Sequence, residues 1–103
     1  MKTKIKTLSI EKIEKVAFIL KAIGNPLKIG ILDLLRINRE LMVSELSEQL
    51  DAEQSLISHH LNGLKMKGIL GSRREGKNIY YHLKLKEVVK VLDCMENCQL
   101  ERF

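Results

Sequence analysis

Apolar residues recur with a helical rhythm through the first third of the chain. Over residues 8–23 this rhythm predicts an amphipathic helix that ends before Gly24. The apolar positions of that helix are Leu8, Ile13, Val16, Ala17, Leu20 and Ile23. A second helix is predicted from Asn25 to about Ile37, because an asparagine side chain accepts hydrogen bonds from free helix amides and Pro26 suits a first helical turn.

Two further helices are predicted close together. The first covers about residues 44–50, beginning with a serine cap and acidic residues in its first turn. Three residues later a helix begins that covers residues 54–67 and is ended by Gly68. Two short helices joined by three or four residues are typical of a helix-turn-helix, which we therefore predict at about residues 44–67.

After residue 68 the apolar pattern is no longer helical. Residues 69–74 and 78–83 are rich in strand-forming side chains and flank a three-residue turn centred on Gly76. This pattern predicts a β-hairpin, or wing, over about residues 69–83. A two-stranded hairpin is marginally stable alone, so we expect it to pack against the helices.

A last amphipathic helix is predicted over about residues 85–100. The element order is then α-α-α-α-β-β-α in one domain, residues 1–103. The predicted fold class is mostly α (α+β), a winged helix-turn-helix with an extra helix at each end. Because the end helices carry more apolar surface than so small a core needs, we expect them to form the interface of a homodimer.

Basic residues are concentrated in one block of the second half of the chain. The net charge is +5, yet residues 54–86 alone hold seven Lys or Arg and a single Glu. This block coincides with the second helix of the helix-turn-helix and with the wing. A solvated face is the ordinary interpretation of such a block, and a surface that faces phosphates is the more specific one.

The cellular location is predicted from what the sequence lacks. No apolar run is long enough to span a membrane. No apolar stretch with a small-residue cleavage site follows the basic start, so a secretory signal is not expected. Two cysteines four residues apart cannot cross-link a secreted fold. We expect a cytoplasmic protein with reduced thiols and no membrane partner.

One face of the predicted helix 54–67 is polar without being acidic. Hydroxyl, imidazole and amide groups on this face can reach base edges, and a lysine can reach a phosphate. A purely solvated face would usually carry glutamates as well. The neighbouring His60 is predicted to turn inward and to be packed and hydrogen-bonded. The predicted DNA-binding residues are Gln54, Ser55, Ser58, His59, Asn62 and Lys65 on the helix and Arg73, Arg74 and Lys77 on the wing.

Three stretches of the chain carry a family resemblance. They are Gly24-Asn25-Pro26-Leu27-Lys28-Ile29, then Gln54-Ser55-Leu56-Ile57-Ser58-His59-His60-Leu61, then Arg73-Arg74-Glu75-Gly76-Lys77 with Tyr80-Tyr81. From about residue 12 to the last helix, the sequence resembles the ArsR/SmtB family of bacterial winged-helix repressors. The resemblance implies a homodimer whose end helices pair, which binds an inverted-repeat operator and releases it when an inducer binds.

The metal sites of that family are only partly matched. Many metal-sensing members carry Glu-Leu-Cys-x-Cys at the start of the third helix, where residues 40–44 of this chain contain neither thiol. A second family pattern on the last helix falls on Leu85, Glu87, Cys98 and Glu101. Leucine cannot bind a metal, and no imidazole remains in this set.

Cys94 and Cys98 are the only thiols, and with Glu101 they would form one stripe of a helix. They are interpreted in three ways: as small apolar residues at the dimer seam, as ligands of a soft ion such as arsenite, or as a redox pair. We therefore predict a repressor released by a thiol-reactive or soft-ion inducer. The alternative is an inducer-independent regulator or architectural DNA-binding protein in which the cysteines are structural.

An enzyme is not predicted. Ser58 and His59 are adjacent on one helix without an orienting acid or an oxyanion site, and no phosphate-binding glycine pattern occurs. A winged helix that docks another protein is a further alternative, and steep salt dependence with a preference for one inverted repeat would distinguish the repressor from it.

Overall fold

The structure is a computed structural model, and it describes residues 7–99. In chain order the elements are helix α1 (Ile10–Ile23), helix α2 (Pro26–Ile37), strand β1 (Leu41–Met42), helix α3 (Val43–Leu50), helix α4 (Gln54–Met66), strand β2 (Leu70–Glu75), strand β3 (Asn78–Leu83) and helix α5 (Lys86–Glu96). Helices α3 and α4 form the helix-turn-helix and strands β2 and β3 form the wing. The predicted winged helix-turn-helix class is confirmed.

Side-chain caps fix where the first two helices begin. The Ser9 hydroxyl accepts a hydrogen bond from the amide of Lys12 at 3.2 Å, so α1 begins at residue 10 and not at residue 8. The Asn25 side chain accepts from the amides of Leu27 and Lys28 at 2.9 and 3.2 Å. This second cap is the one that the sequence predicted before Pro26.

Helix α3 begins at Val43 with Met42 in the cap position, so the predicted serine cap is wrong, because Ser44 already lies in the first helical turn. The carboxylate of Glu45 accepts a hydrogen bond from the backbone amide of Met42 at 2.9 Å, which fixes the first turn. At the other end, Asp51 adopts a left-handed backbone conformation with φ 50° and begins the tight connection to α4. The Ser47 hydroxyl donates to the carbonyl of Ala52 across this turn.

Strand β1 is absent from the predicted order α-α-α-α-β-β-α. It has two residues, and Leu41 and Met42 pair antiparallel with Tyr81 and Tyr80 of β3. The sheet therefore has three strands in the order β1-β3-β2. Two residues are too few for an alternating pattern to show, and the strand exists because β3 offers it a free edge.

A single apolar core joins all the elements, and no polar or charged side chain among the described residues is buried in it. Only the last turns of α1 reach this core. The core side chains are Ile19, Ala22, Ile23, Ile31, Leu32, Leu35, Leu46, Ile57, Leu61, Leu64, Ile69, Leu70, Tyr81, Val88 and Leu92.

Among the described residues, no helix is long and apolar enough to cross a membrane.

Helix α5 ends at Glu96, short of the predicted end at about residue 100. The helical hydrogen bonding stops there, because the backbone amide of Cys98 donates to the carbonyl of Met95, three residues back, at 3.1 Å and not to that of Cys94. Cys98 lies beyond the helix, so the predicted stripe of Cys94, Cys98 and Glu101 on one helix is not formed. Glu101 lies outside the described residues.

Candidate nucleic-acid interface

Helix α4 separates its side chains into a core face and an open polar face. Ile57, Leu61 and Leu64 are at most 1% exposed, because they pack into the core. The predicted base-reading and phosphate-binding side chains lie outside this core face. Of these, Gln54, Ser55, His59, Asn62 and Lys65 are exposed and Ser58 is half-buried. The structure thus brings all six predicted residues of this helix to one accessible surface.

His60 turns away from that polar face and is half-buried. Burial lowers the pKa of its imidazole below the ordinary value of 6.5, and the charges of Lys28 and His59 lower it further. The ring centres of His59 and His60 are 5.7 Å apart, with the rings tilted at 58°. The predicted packing is present, whereas no residue from 7 to 99 forms the hydrogen bond that was predicted with it. Protonation of His60 is therefore less favourable than that of a solvated histidine.

The wing ends in a tight basic turn. Gly76 has φ 63°, a backbone conformation that glycine adopts without strain, and it lets β2 reverse into β3. The turn consists of Gly76 and Lys77 alone, one residue fewer than predicted, because Glu75 belongs to β2 and pairs with Asn78. Lys77 in the turn and Arg74 just before it are exposed. Within residues 7–99, neither of them forms an ion pair. Both cations are available to an anionic partner.

Arg73 is in a different situation. Its guanidinium forms hydrogen bonds to both carboxylate oxygens of Glu40, at 2.5 to 3.1 Å, and to Glu75 at 2.6 Å. It also lies over the ring of Tyr80, 4.5 Å from the ring centre. Together these carboxylates raise the pKa of Arg73, and Arg73 in turn lowers the pKa of Glu40. The sequence grouped Arg73 with Arg74 and Lys77, but the structure separates it from them.

Another basic residue, Arg36, was not singled out in the sequence, and it joins the last helix, α5, to the core. Arg36 of α2 forms ion pairs with Asp33 of its own helix and with Asp93 and Glu96 of α5, at 2.8 to 2.9 Å. No sequence signal could have shown this cluster, because Arg36 and Asp93 are 57 positions apart. The cluster fixes α5 against α2 immediately before Cys94.

The end helices leave apolar side chains uncovered. Five large apolar residues at the N-terminal end of the described chain are between 41% and 54% exposed: Leu8, Ile10, Ile13, Phe18 and Leu20. Met95 of α5 is also exposed, as are both thiols, Cys94 and Cys98. Over the described part of the chain, no group of three or more His, Cys, Asp or Glu residues could hold a metal ion. The two cysteines therefore lie on an open surface and outside any such group.

Comparison with known proteins identifies the family. A sequence model described as bacterial regulatory protein, arsR family, matches residues 25–72. A protein of Methanocaldococcus jannaschii described as an uncharacterized HTH-type transcriptional regulator is 44% identical over 87 residues, which are 82% of this chain and 98% of that protein. The chain belongs to the ArsR family. This confirms the resemblance seen in the sequence, and the family consists of DNA-binding transcriptional regulators and not of enzymes.

Solved structures of similar proteins share the fold of this ArsR-family chain. Reduced HlyU from Vibrio cholerae superposes with a TM-score of 0.76 at 35% identity, covering 87% of this chain and 97% of HlyU. The curated description of HlyU from that organism is transcriptional activator. Mb0332 from Mycobacterium bovis is described as a homodimeric winged helix-turn-helix DNA-binding domain, and superposes with a TM-score of 0.70 at 27% identity over 89% of this chain and 87% of Mb0332.

Proposed function

We propose that this ArsR-family regulator is a homodimeric repressor that binds an inverted-repeat operator in a sequence-specific manner and leaves it when an inducer reacts at its thiols. The observation that supports sequence-specific DNA binding is the polar face of α4, which is accessible and contains no carboxylate. This face lies beside a wing whose tip carries exposed cations. A helix with short polar side chains fits the major groove, where base edges can be distinguished.

Each side chain has a proposed role. On α4 we assign base contacts to Ser55, Ser58, His59 and Asn62. We place Gln54, at the start of the helix, near the sugar-phosphate backbone of the DNA. Lysine and arginine side chains bind phosphates as cations, so we assign the backbone contacts to Lys65, Arg74 and Lys77.

A homodimer follows from the apolar surface that the single chain leaves open on α1 and α5. Covering exposed large apolar side chains is favourable, and a twofold axis covers the same face on both copies. The Mycobacterium bovis relative is described as homodimeric, which supports this assembly. Two recognition helices about 34 Å apart would match one turn of DNA and require an operator with twofold symmetry.

The proposed inducer is thiol-reactive or a soft ion such as arsenite, and it acts on Cys94 and Cys98. Both thiols are exposed, and Cys94 directly follows Asp93, which is bound to Arg36. Soft ions prefer thiolate ligands, so both cysteines would be drawn to one ion. Such a change at the end of α5 would alter how the end helices pair and would move the recognition helices off their spacing. Because the DNA of the cell is its target, we also propose a cytoplasmic location.

The test is a gel shift on DNA from upstream of the protein's own gene, with and without arsenite, zinc, peroxide or polysulfide. We expect a complex that one thiol-directed compound dissolves in the wild type but not in a Cys94→Ser, Cys98→Ser variant. If the wild type and the variant bind and release alike with every compound, the cysteines are structural; if neither releases DNA with any compound, the inducer-independent alternative holds.

A further inference from the structure

The side chain of Arg73 connects all three strands of the sheet. Arg73 belongs to the outer strand β2, and its Cα is paired with that of Tyr80 on the central strand β3. Its guanidinium lies over the Tyr80 ring and reaches Glu40, the residue that precedes β1 on the far side of the sheet. One side chain therefore crosses the sheet from the wing to the opposite edge.

That opposite edge is continuous with the helix-turn-helix. Strand β1 ends at Met42 and α3 begins at the next residue. The carboxylate of Glu45, inside α3, accepts a hydrogen bond from the Met42 amide at 2.9 Å, so β1 and α3 are held as one unit. Helix α3 in turn packs on α4 through the core, where Leu46 is fully buried. The pair of Glu40 and Arg73 thus joins the wing to the unit that carries the DNA-reading helix.

The surroundings of Arg73 are poorly suited to a phosphate. Its Nε and Nη2 atoms are bonded to Glu40, and its Nη1 atom is bonded to Glu75. All three guanidinium nitrogens are thus engaged, so a phosphate could bind Arg73 only by displacing the carboxylate of Glu40 or Glu75. Arg74, two positions before the turn of Gly76 and Lys77, and Lys77, within that turn, face no such competition within the described chain.

We propose that Arg73 is a positioning residue that acts with Glu40 and Tyr80 to fix the angle of the wing, and that it does not itself contact DNA. It sets where Arg74 and Lys77 meet the DNA backbone. This role rests on the proposed DNA-binding function. A planar guanidinium is needed for it, because only arginine can bond both oxygens of one carboxylate while stacking on an aromatic ring.

The decisive variant is Glu40→Gln, since the two possible roles of Arg73 predict opposite results. If Arg73 bound a phosphate, removing its competing carboxylate would free it and DNA binding would tighten. If Arg73 positions the wing, the loss of its partner weakens DNA binding, by about fivefold for a coupling of ordinary size. The matched control is Glu48→Gln, which removes the same charge from an exposed residue of α3 that pairs with no described residue. We expect the control to bind DNA as tightly as the wild type or slightly more tightly.

Two further measurements complete the test. In an Arg74→Ala, Lys77→Ala background the wing has nothing left to position, so Glu40→Gln should no longer weaken binding. Arg73→Lys keeps the positive charge but loses the planar guanidinium that bonds both oxygens of Glu40. This variant should bind DNA about as weakly as Glu40→Gln. It also provides the answer if Glu40→Gln does not fold.

Three results would overturn the positioning role of Arg73. The first is tighter or unchanged DNA binding by Glu40→Gln, and the second is full DNA binding by Arg73→Lys. The third is that Glu40→Gln weakens binding equally in the wild type and in the Arg74→Ala, Lys77→Ala background. If the wild type binds no DNA, the proposed function itself fails and this inference fails with it.

Discussion

The guanidinium of Arg36 on α2 lies 2.9 Å from the carboxylate of Asp93 on α5, and the same nitrogen lies 2.8 Å from Glu96. Asp33 binds the other terminal nitrogen at 2.8 Å. Helix α5 is thus attached to the core by a cluster of three carboxylates around one cation. Cys94 directly follows Asp93 in the sequence, so any chemistry at that thiol takes place beside the attachment.

Replacing Arg36 tests this attachment. We expect Arg36→Gln to lower the urea midpoint of unfolding, because the three carboxylates lose the cation that they share. The difference from the wild type should shrink in 1 M salt, where charges are screened within about 3 Å. Arg39→Gln is the matched control, because Arg39 is exposed and forms no ion pair with the described residues. Equal effects of the two substitutions would show that the cluster does not stabilise α5.

The two faces of α4 should respond differently to truncation. Leu61 is fully buried, so Leu61→Ala should reduce the free energy of unfolding by about 2–5 kcal/mol. Asn62, the next residue, is exposed, and Asn62→Ala should change stability by less than about 0.5 kcal/mol. Chemical denaturation measures both. A large loss of stability with Asn62→Ala would mean that this side chain supports the fold and is not free to read DNA.

His60 should make stability depend on pH just below neutrality. Burial lowers the pKa of His60 in the folded state, so between that pKa and about 6.5 the unfolded chain binds more protons. Stability therefore falls as the pH drops through 6.5, until it passes below the folded-state pKa. The urea midpoint of His60→Gln should change less between pH 7.5 and pH 5.5 than that of the wild type. His59→Gln should keep most of the wild-type dependence, because burial lowers the pKa of His60 more than the charge of His59 does. If His60→Gln keeps the dependence too, the burial of His60 does not control the titration.

The exposed face of α1 should hold two copies together. Sedimentation of the wild type should give about twice the chain mass of 11.9 kDa. Ile13→Glu places a charge among exposed apolar side chains and should produce monomers with reduced affinity for an inverted repeat. Met66→Glu makes the same kind of change at the end of α4, away from that face, and should remain dimeric. A wild type that sediments as a monomer at micromolar concentration would contradict the proposed assembly.

The sequence predicted best those elements whose boundaries depend on local chemistry. Asn25 and Pro26 located the start of α2, and the structure shows the cap hydrogen bonds that they make. The apolar residues of α4 likewise indicated its buried face before any packing was known. In both cases the signal lies within a few neighbouring residues, where the local geometry of the chain determines the outcome.

Features that depend on distant partners were not predictable. Strand β1 exists because β3 offers it an edge, and its two residues carry no pattern of their own. Arg73 and Arg74 are adjacent and chemically alike, yet only Arg73 meets Glu40, which is 33 positions away. The end of α5 was predicted too late because apolar periodicity continued beyond Glu96, where the helix ends. Two residues of the same type can therefore have different roles, because the tertiary structure places different neighbours beside them.

Whether α4 reads the operator is tested by two groups of variants, whose binding to the inverted repeat and to a scrambled DNA is compared over a range of salt concentrations. Ser55→Ala, Ser58→Ala and His59→Ala should each reduce the preference for the inverted repeat, by about 1–3 kcal/mol per lost base contact. Lys65→Ala and Lys77→Ala should weaken binding to both DNAs alike, and should flatten the dependence of log K on log salt by about 0.9 per lost phosphate contact. Equal weakening of both DNAs by all five substitutions would contradict the assignment of α4 as the helix that reads the operator.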